Sequence, residues 1–180
     1  MGTAAEVVHY VVLAEETRRI HDNAGVRIPW HWTCNSDTKV VSVTWDPERT
    51  RLVRARLHAR VYSDLGAVFF NYYVNDNRAL GFTWEEWEPG IWREDEVDIT
   101  IYIRNGDNYF KAEACKHYPY PLEPTVWVTG TLILEFEGEP PTIQPPRPPA
   151  PSPWEIALYV GLGIAGIVAL AYLIQALRGR

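Results

Sequence analysis

The sequence predicts an all-β fold, an antiparallel β-sandwich followed by a single C-terminal transmembrane α-helix. Three observations carry that prediction. Residues 51–61, RLVRARLHARV, alternate strictly: Val53, Ala55, Leu57, Ala59 and Val61 fall on one side, Arg54, Arg56, His58 and Arg60 on the other. That is the period of a half-buried strand. Similar runs recur at short spacing with turn residues between them and no crossover helix, which excludes a parallel α/β fold. Residues 156–177 contain no charged residue; a helix of about 22 residues is roughly 33 Å long and crosses a bilayer's hydrocarbon core.

Along the chain, residues 6–13, EVVHYVVL, suit a strand or a short helix, and Val7, Val8, Val11 and Val12 favour the strand. AEETRRI after it has helical character. Residues 21–38, punctuated by Asn23, Gly25, Pro29, Asn35 and Ser36, read as a long connection. A strand over 39–45 is stopped by Asp46-Pro47. Residues 67–74, AVFFNYYV, are apolar on both faces and predict a central strand. Asn75-Asp76-Asn77 turns the chain into a strand over 79–84. Residues 85–96, EEWEPGIWREDE, read as an acidic, Trp-rich loop. In 97–103, VDITIYI, the alternation puts Val97, Ile99, Ile101 and Ile103 inward. Asn105-Gly106 is the strongest hairpin signal and leads into a strand over 108–115. Pro119, Pro121 and Pro124 mark a loop before the last strand, 126–138.

The expected organisation is a sandwich domain over 1–138, a Pro-rich spacer over 139–153, a transmembrane helix over 154–178 and a short tail, 179–180. Proline fixes φ and removes donors, so EPPTIQPPRPPAPSP predicts an extended, semi-rigid stalk, or alternatively a docking motif for aromatic-lined grooves. Trp154 and Tyr159 near one end of the span and Tyr172 near the other suit the headgroup level. Ala157, Gly161, Ala165 and Ala169 recur every fourth residue, a small-residue stripe for close helix packing in lipid. No secretory signal opens the chain, so the layout is that of a tail anchor with a cytosolic head. Arg178 and Arg180 favour the opposite orientation.

The order of signals resembles the galactose-binding-domain-like jelly roll, common among carbohydrate-binding modules. The residues that carry the resemblance are RARLHARV, then YYVNDN (72–77), Asp98-Ile99-Thr100, Gly106-Asp107-Asn108 and the closing strand TGTLILEFEG (129–138). It covers about residues 39–138 and implies a jelly-roll β-sandwich, an architecture viral coat proteins also use. Asp76 stands where the family often has Gly. The family's ligand residues sit in variable loops, so none carries over.

Three constellations bear on chemistry. His31 with Cys34, and Cys115 with His117, supply two thiols and two imidazoles. They fit a tetrahedral zinc site if the pairs meet, a Cys34–Cys115 disulfide in an oxidising space, or two unrelated thiols. Trp84, Trp87 and Trp92 with Glu85, Glu86 and Glu88 suit a sugar platform, a glycosidase carboxylate pair, or a plain cap on the sandwich. The row Arg54, Arg56, His58, Arg60 is a basic stripe for a neighbouring copy, anionic glycans or lipid heads, or for acids across its own sheet. The sequence holds no Ser-His-Asp signature, phosphate loop or standard calcium loop, and no cofactor is expected. A net charge of −6 argues against a general nucleic-acid binder.

These readings lead to a non-enzymatic, membrane-anchored structural subunit of an envelope, virion or membrane-protein assembly. Its expected partners are the lipid bilayer, other membrane or envelope proteins, or copies of itself. The alternatives are a membrane-displayed carbohydrate-binding or adhesion module, whose partners are glycans, and an accessory subunit of a membrane enzyme complex.

Overall fold

The structure, a computed structural model, describes residues 6–19, 32–85, 88–117, 124–153 and 155. The chain divides into two units, Met1–Pro148 and Pro149–Arg180. The first is all-β. Its strands are β1 (Glu6–Arg19), β2 (Trp32–Thr44), β3 (Thr50–Ser63), β4 (Val68–Val74), β5 (Asn77–Trp84), β6 (Trp92–Asp98), β7 (Gly106–His117), β8 (Thr125–Gly138) and β9 (Thr142–Ile143). They form two antiparallel sheets, a four-stranded one in the order β1-β8-β3-β6 and a five-stranded one in the order β5-β4-β7-β2-β9. Leu57, Val61, Leu132 and Phe136 of the first sheet share one buried core with Phe70, Tyr72, Trp84 and Phe110 of the second. The apolar run 67–74 is central, with β5 on one side and β7 on the other.

Several local expectations are corrected. Residues 15–19, helical in character, extend β1 because each pairs with β8, from Glu15↔Thr129 to Arg19↔Thr125; long-range pairing overrides local preference. The connection over 21–38 ends earlier, because β2 starts at Trp32, opposite His117. Val53 is 41% exposed, since a bulge between Leu52 and Arg54 breaks the alternation there. Residues 92–96, read as loop, belong to edge strand β6, whose charges suit an unpaired edge. The chain then leaves the sheet at Asp98 for a 3-10 turn, Thr100–Tyr102, so Ile99 is buried while Ile101 is 86% exposed.

The Pro-rich segment is not stalk throughout. Thr142–Ile143 pair with β2, the Gln144 amide donates to the Ser42 carbonyl (2.9 Å), and Arg147 exchanges both backbone bonds with Val40 (2.7 and 3.0 Å). Pro145 and Pro146 fall between these bonds, where a missing N–H costs nothing. Residues 142–147 thus form a strap along the edge of β2.

In the second unit, the Ser152 amide donates to Glu155 Oε2 (2.6 Å) and the Glu155 amide donates to Ser152 Oγ (3.2 Å). This is a capping box with Pro153 at the first helical position. No helix among the described residues is long and apolar enough to cross a membrane. The run 156–177, with Ala157, Gly161, Ala165 and Ala169, lies outside the described residues, as does Trp154.

Candidate functional site

The basic row on β3 meets acids of its own chain. Arg54 reaches Asp98 (3.3 Å), Arg56 reaches Glu96 (2.7 Å) and Glu135 (2.5 Å), and His58 Nε2 lies 2.8 Å from Glu94. Arg60 approaches the same Glu94 at 3.9 Å. In register, Arg56 faces Asp98, His58 faces Glu96 and Arg60 faces Glu94, so the contacts of Arg54, Arg56 and His58 with β6 run diagonally, one pair along, while Arg60 and Glu94 stand directly opposite. Hydrogen bonds donated by Arg56 to Glu96 and Glu135 push its pKa further up. The Thr100 hydroxyl and amide, with Arg54 adding, hold the Asp98 carboxyl below the usual range. Glu94, Glu96 and Asp98 alternate along β6 as the bases do along β3. That period was visible in the sequence and hidden by reading 85–96 as loop.

The tryptophans divide between the two faces. Trp84 is buried in the core, its Nε1 donating to the Ile91 carbonyl (3.0 Å), with the Arg93 guanidinium 5.5 Å from its ring. It caps the sandwich and offers no platform. Glu88 pairs with Arg93 (2.6 Å), Glu85 is exposed, and Glu86 and Trp87 lie outside the described residues. Trp92 points the other way, 45% exposed, and joins two rings that the sequence did not associate with it. Tyr62 sits 5.2 Å from Trp92 and 5.1 Å from Trp127, tilted by 42° and 66°. The three occupy one register row across β6, β3 and β8. Arg60 covers Trp92, its guanidinium carbon 4.4 Å from the ring centroid.

Cys34 and Cys115 face each other in register on β2 and β7 and are joined as a disulfide, with Cα atoms 4.0 Å apart. Sulfurs so bonded offer a metal no thiolate. His31 lies outside the described residues, and His117 is described only as backbone in β7. Among the described residues, no three His, Cys, Asp or Glu side chains gather around a point that could hold a metal ion.

On the flank where β1 and β9 are the outermost strands, a groove of about 380 Å³ is lined by His9, Tyr10, Val11, Ile143, Pro145 and Pro146. Tyr10 is 71% exposed there, and Val8 is exposed beside it. Among the described residues no strand pairs with the outer edge of β1.

No protein-family model matches the chain, and no curated protein matches it. Among solved structures it is similar to an FMN-binding beta-glucuronidase from Facaelibacterium prausnitzii L2-6 (TM-score 0.35, 15% identity, 68% of this chain and 22% of that one). It is also similar to a family two carbohydrate esterase from Cellvibrio japonicus (TM-score 0.29, 11% identity, 76% and 36%). A third is infectious bursal disease virus, Gx strain (TM-score 0.31, 8% identity, 94% and 49%). The chain spans less than half the length of each. Likenesses this distant carry no argument about activity. What the fold defines is an all-β protein of two antiparallel sheets.

Proposed function

We propose that this chain is a membrane-tethered, non-enzymatic structural subunit whose jelly-roll head makes lateral contacts in an envelope, virion or membrane-protein assembly. The jelly-roll reading rests on strand pairing: the first strand pairs with the eighth, the second with the seventh, the third with the sixth and the fourth with the fifth. That is a double ribbon rolled into two sheets, with β9 added. The observation that carries the tether is the Ser152–Glu155 capping box, a helix-start arrangement directly ahead of the uncharged run 156–177. The edge of β1, unpaired among the described residues and with exposed Val8 and Tyr10 beside the groove, supports lateral contact. Purification in mild detergent tests the reading. Oligomers or co-purifying chains, lost on Tyr10→Asp, are expected, and an isolated monomer overturns it.

The row Trp92–Tyr62–Trp127 favours a second reading, a glycan-binding head. In that reading Arg60 swings off Trp92 before a sugar stacks. Glycan-array binding abolished by Trp92→Ala or Trp127→Ala supports it; an array without signal removes it.

A further inference from the structure

Where the β4–β5 hairpin turns, a pocket of about 260 Å³ is lined by Thr38, Asn75, Asp76, Arg104, Tyr109 and Lys111. Its frame is rigid. Asn75 and Asp76 both have positive φ, 48° and 68°, as a two-residue hairpin turn requires. Asn75 Nδ2 donates to the Tyr102 carbonyl (2.7 Å) and Asn108 Oδ1 (2.9 Å), while its Oδ1 accepts the Tyr109 amide (2.9 Å). Asn108, fully buried, accepts the Arg104 amide (2.9 Å) and donates to its carbonyl (2.8 Å). The Arg104 side chain is held as well, by a bond from Nε to the Asp107 carbonyl (2.9 Å) and by the Tyr109 ring, 5.8 Å away. Its terminal nitrogens make no hydrogen bond among the described residues. Lys111 spends one donor on Glu113 (2.7 Å).

We propose that this pocket binds a single oxyanion, the sulfate, phosphate or carboxylate of a small ligand. Arg104 offers a fork of donors on a fixed stem, the geometry that binds oxyanions in two-point fashion. Lys111 adds a second cation, and Thr38 contributes a hydroxyl from β2, where it pairs with Lys111. Two cationic residues line this one pocket in a chain of net charge −6, although the Lys111 ammonium also lies 5.1 Å from the Tyr73 ring. The volume suits a small acid, lying just under the roughly 300 Å³ at which drug-sized pockets begin. Asp76 at the rim opposes any anion and sets the sign of one test.

The full chain in uncharged micelles is titrated with sodium sulfate, phosphate or acetate at constant ionic strength, and amide resonances are followed by NMR. Saturable shifts at Asn75, Asp76, Arg104, Tyr109 and Lys111 are expected, and the three probes identify the preferred oxyanion. Arg104→Gln weakens binding about tenfold or more, the loss of charge-assisted bonds. Lys111→Gln weakens it less, and Asp76→Asn tightens it. Shifts that stay linear for all three probes overturn the proposal. So does saturable binding that neither Arg104→Gln nor Lys111→Gln weakens.

Discussion

Arg147 Nη2 reaches both carboxylate oxygens of Asp107, at 2.9 and 3.0 Å, across 40 positions of sequence. The same nitrogen lies 3.0 Å from Ser42 Oγ, and the Ser42 hydroxyl donates to Asp107. This cluster fastens the proline strap to β2. Arg147→Ala should therefore speed hydrogen exchange at the Gln144 and Arg147 amides by a few-fold, the modest effect of a half-exposed ion pair. The core amides of β4 and β7 should not change. Unaltered exchange in the strap would mean that backbone pairing alone holds it.

The cluster also predicts a pH dependence. The Ser42 hydroxyl, then Arg147 and Arg104, hold the Asp107 carboxyl below its ordinary range. Because the folded value is depressed, the stabilisation is complete above the unfolded value and disappears as pH falls through the folded one. Asp98 has the same sign through Thr100 and Arg54. Urea unfolding should be insensitive to both groups near neutrality and lose stability below about pH 4. Asp107→Asn should reduce that acid slope; an unchanged slope removes Asp107 from the explanation.

Gly130 lets the two sheets approach. A Cβ there would lie 2.6 Å from the Tyr72 hydroxyl oxygen and 3.1 Å from two of its ring carbons. Gly130→Val should cost about 1–3 kcal/mol by overpacking. Chemical denaturation of that variant in the natural and Tyr72→Leu backgrounds measures the coupling, and the cost of Gly130→Val should be smaller in the second.

The Cys34–Cys115 bridge links residues 81 apart in sequence. Reduction should raise the intact mass by about 2 Da, and replacing both cysteines with Ser should cost about 2–4 kcal/mol. A natural protein that carries zinc and free thiols would contradict the bridge.

The fold was legible where period and turn chemistry agreed: the alternation of 55–61, the apolar run 67–74 and the Asn-Asp turn all reappear as strands and hairpin. It was illegible where pairing over long distance decides. Nothing local in Glu15–Arg19 announces β8, and nothing in Gln144–Arg147 announces Ser42 and Val40. The surface shows the same division. The sequence offered Trp92 only as one of three alike tryptophans, and Tyr62 and Trp127 become its neighbours only through strand register. Trp84 is core because it lies on the buried face of β5, whereas Trp92 pairs with Tyr62 on the outer face of its own sheet.

Alkaline carbonate extraction of membranes from cells expressing the full chain tests the tether most directly. The natural protein should stay in the membrane pellet. Gly161→Arg with Ala165→Arg should move it to the supernatant, since each central arginine costs about 2.5–3.5 kcal/mol of insertion. Complete release of the natural chain by carbonate would contradict membrane tethering and leave the sandwich without its anchor.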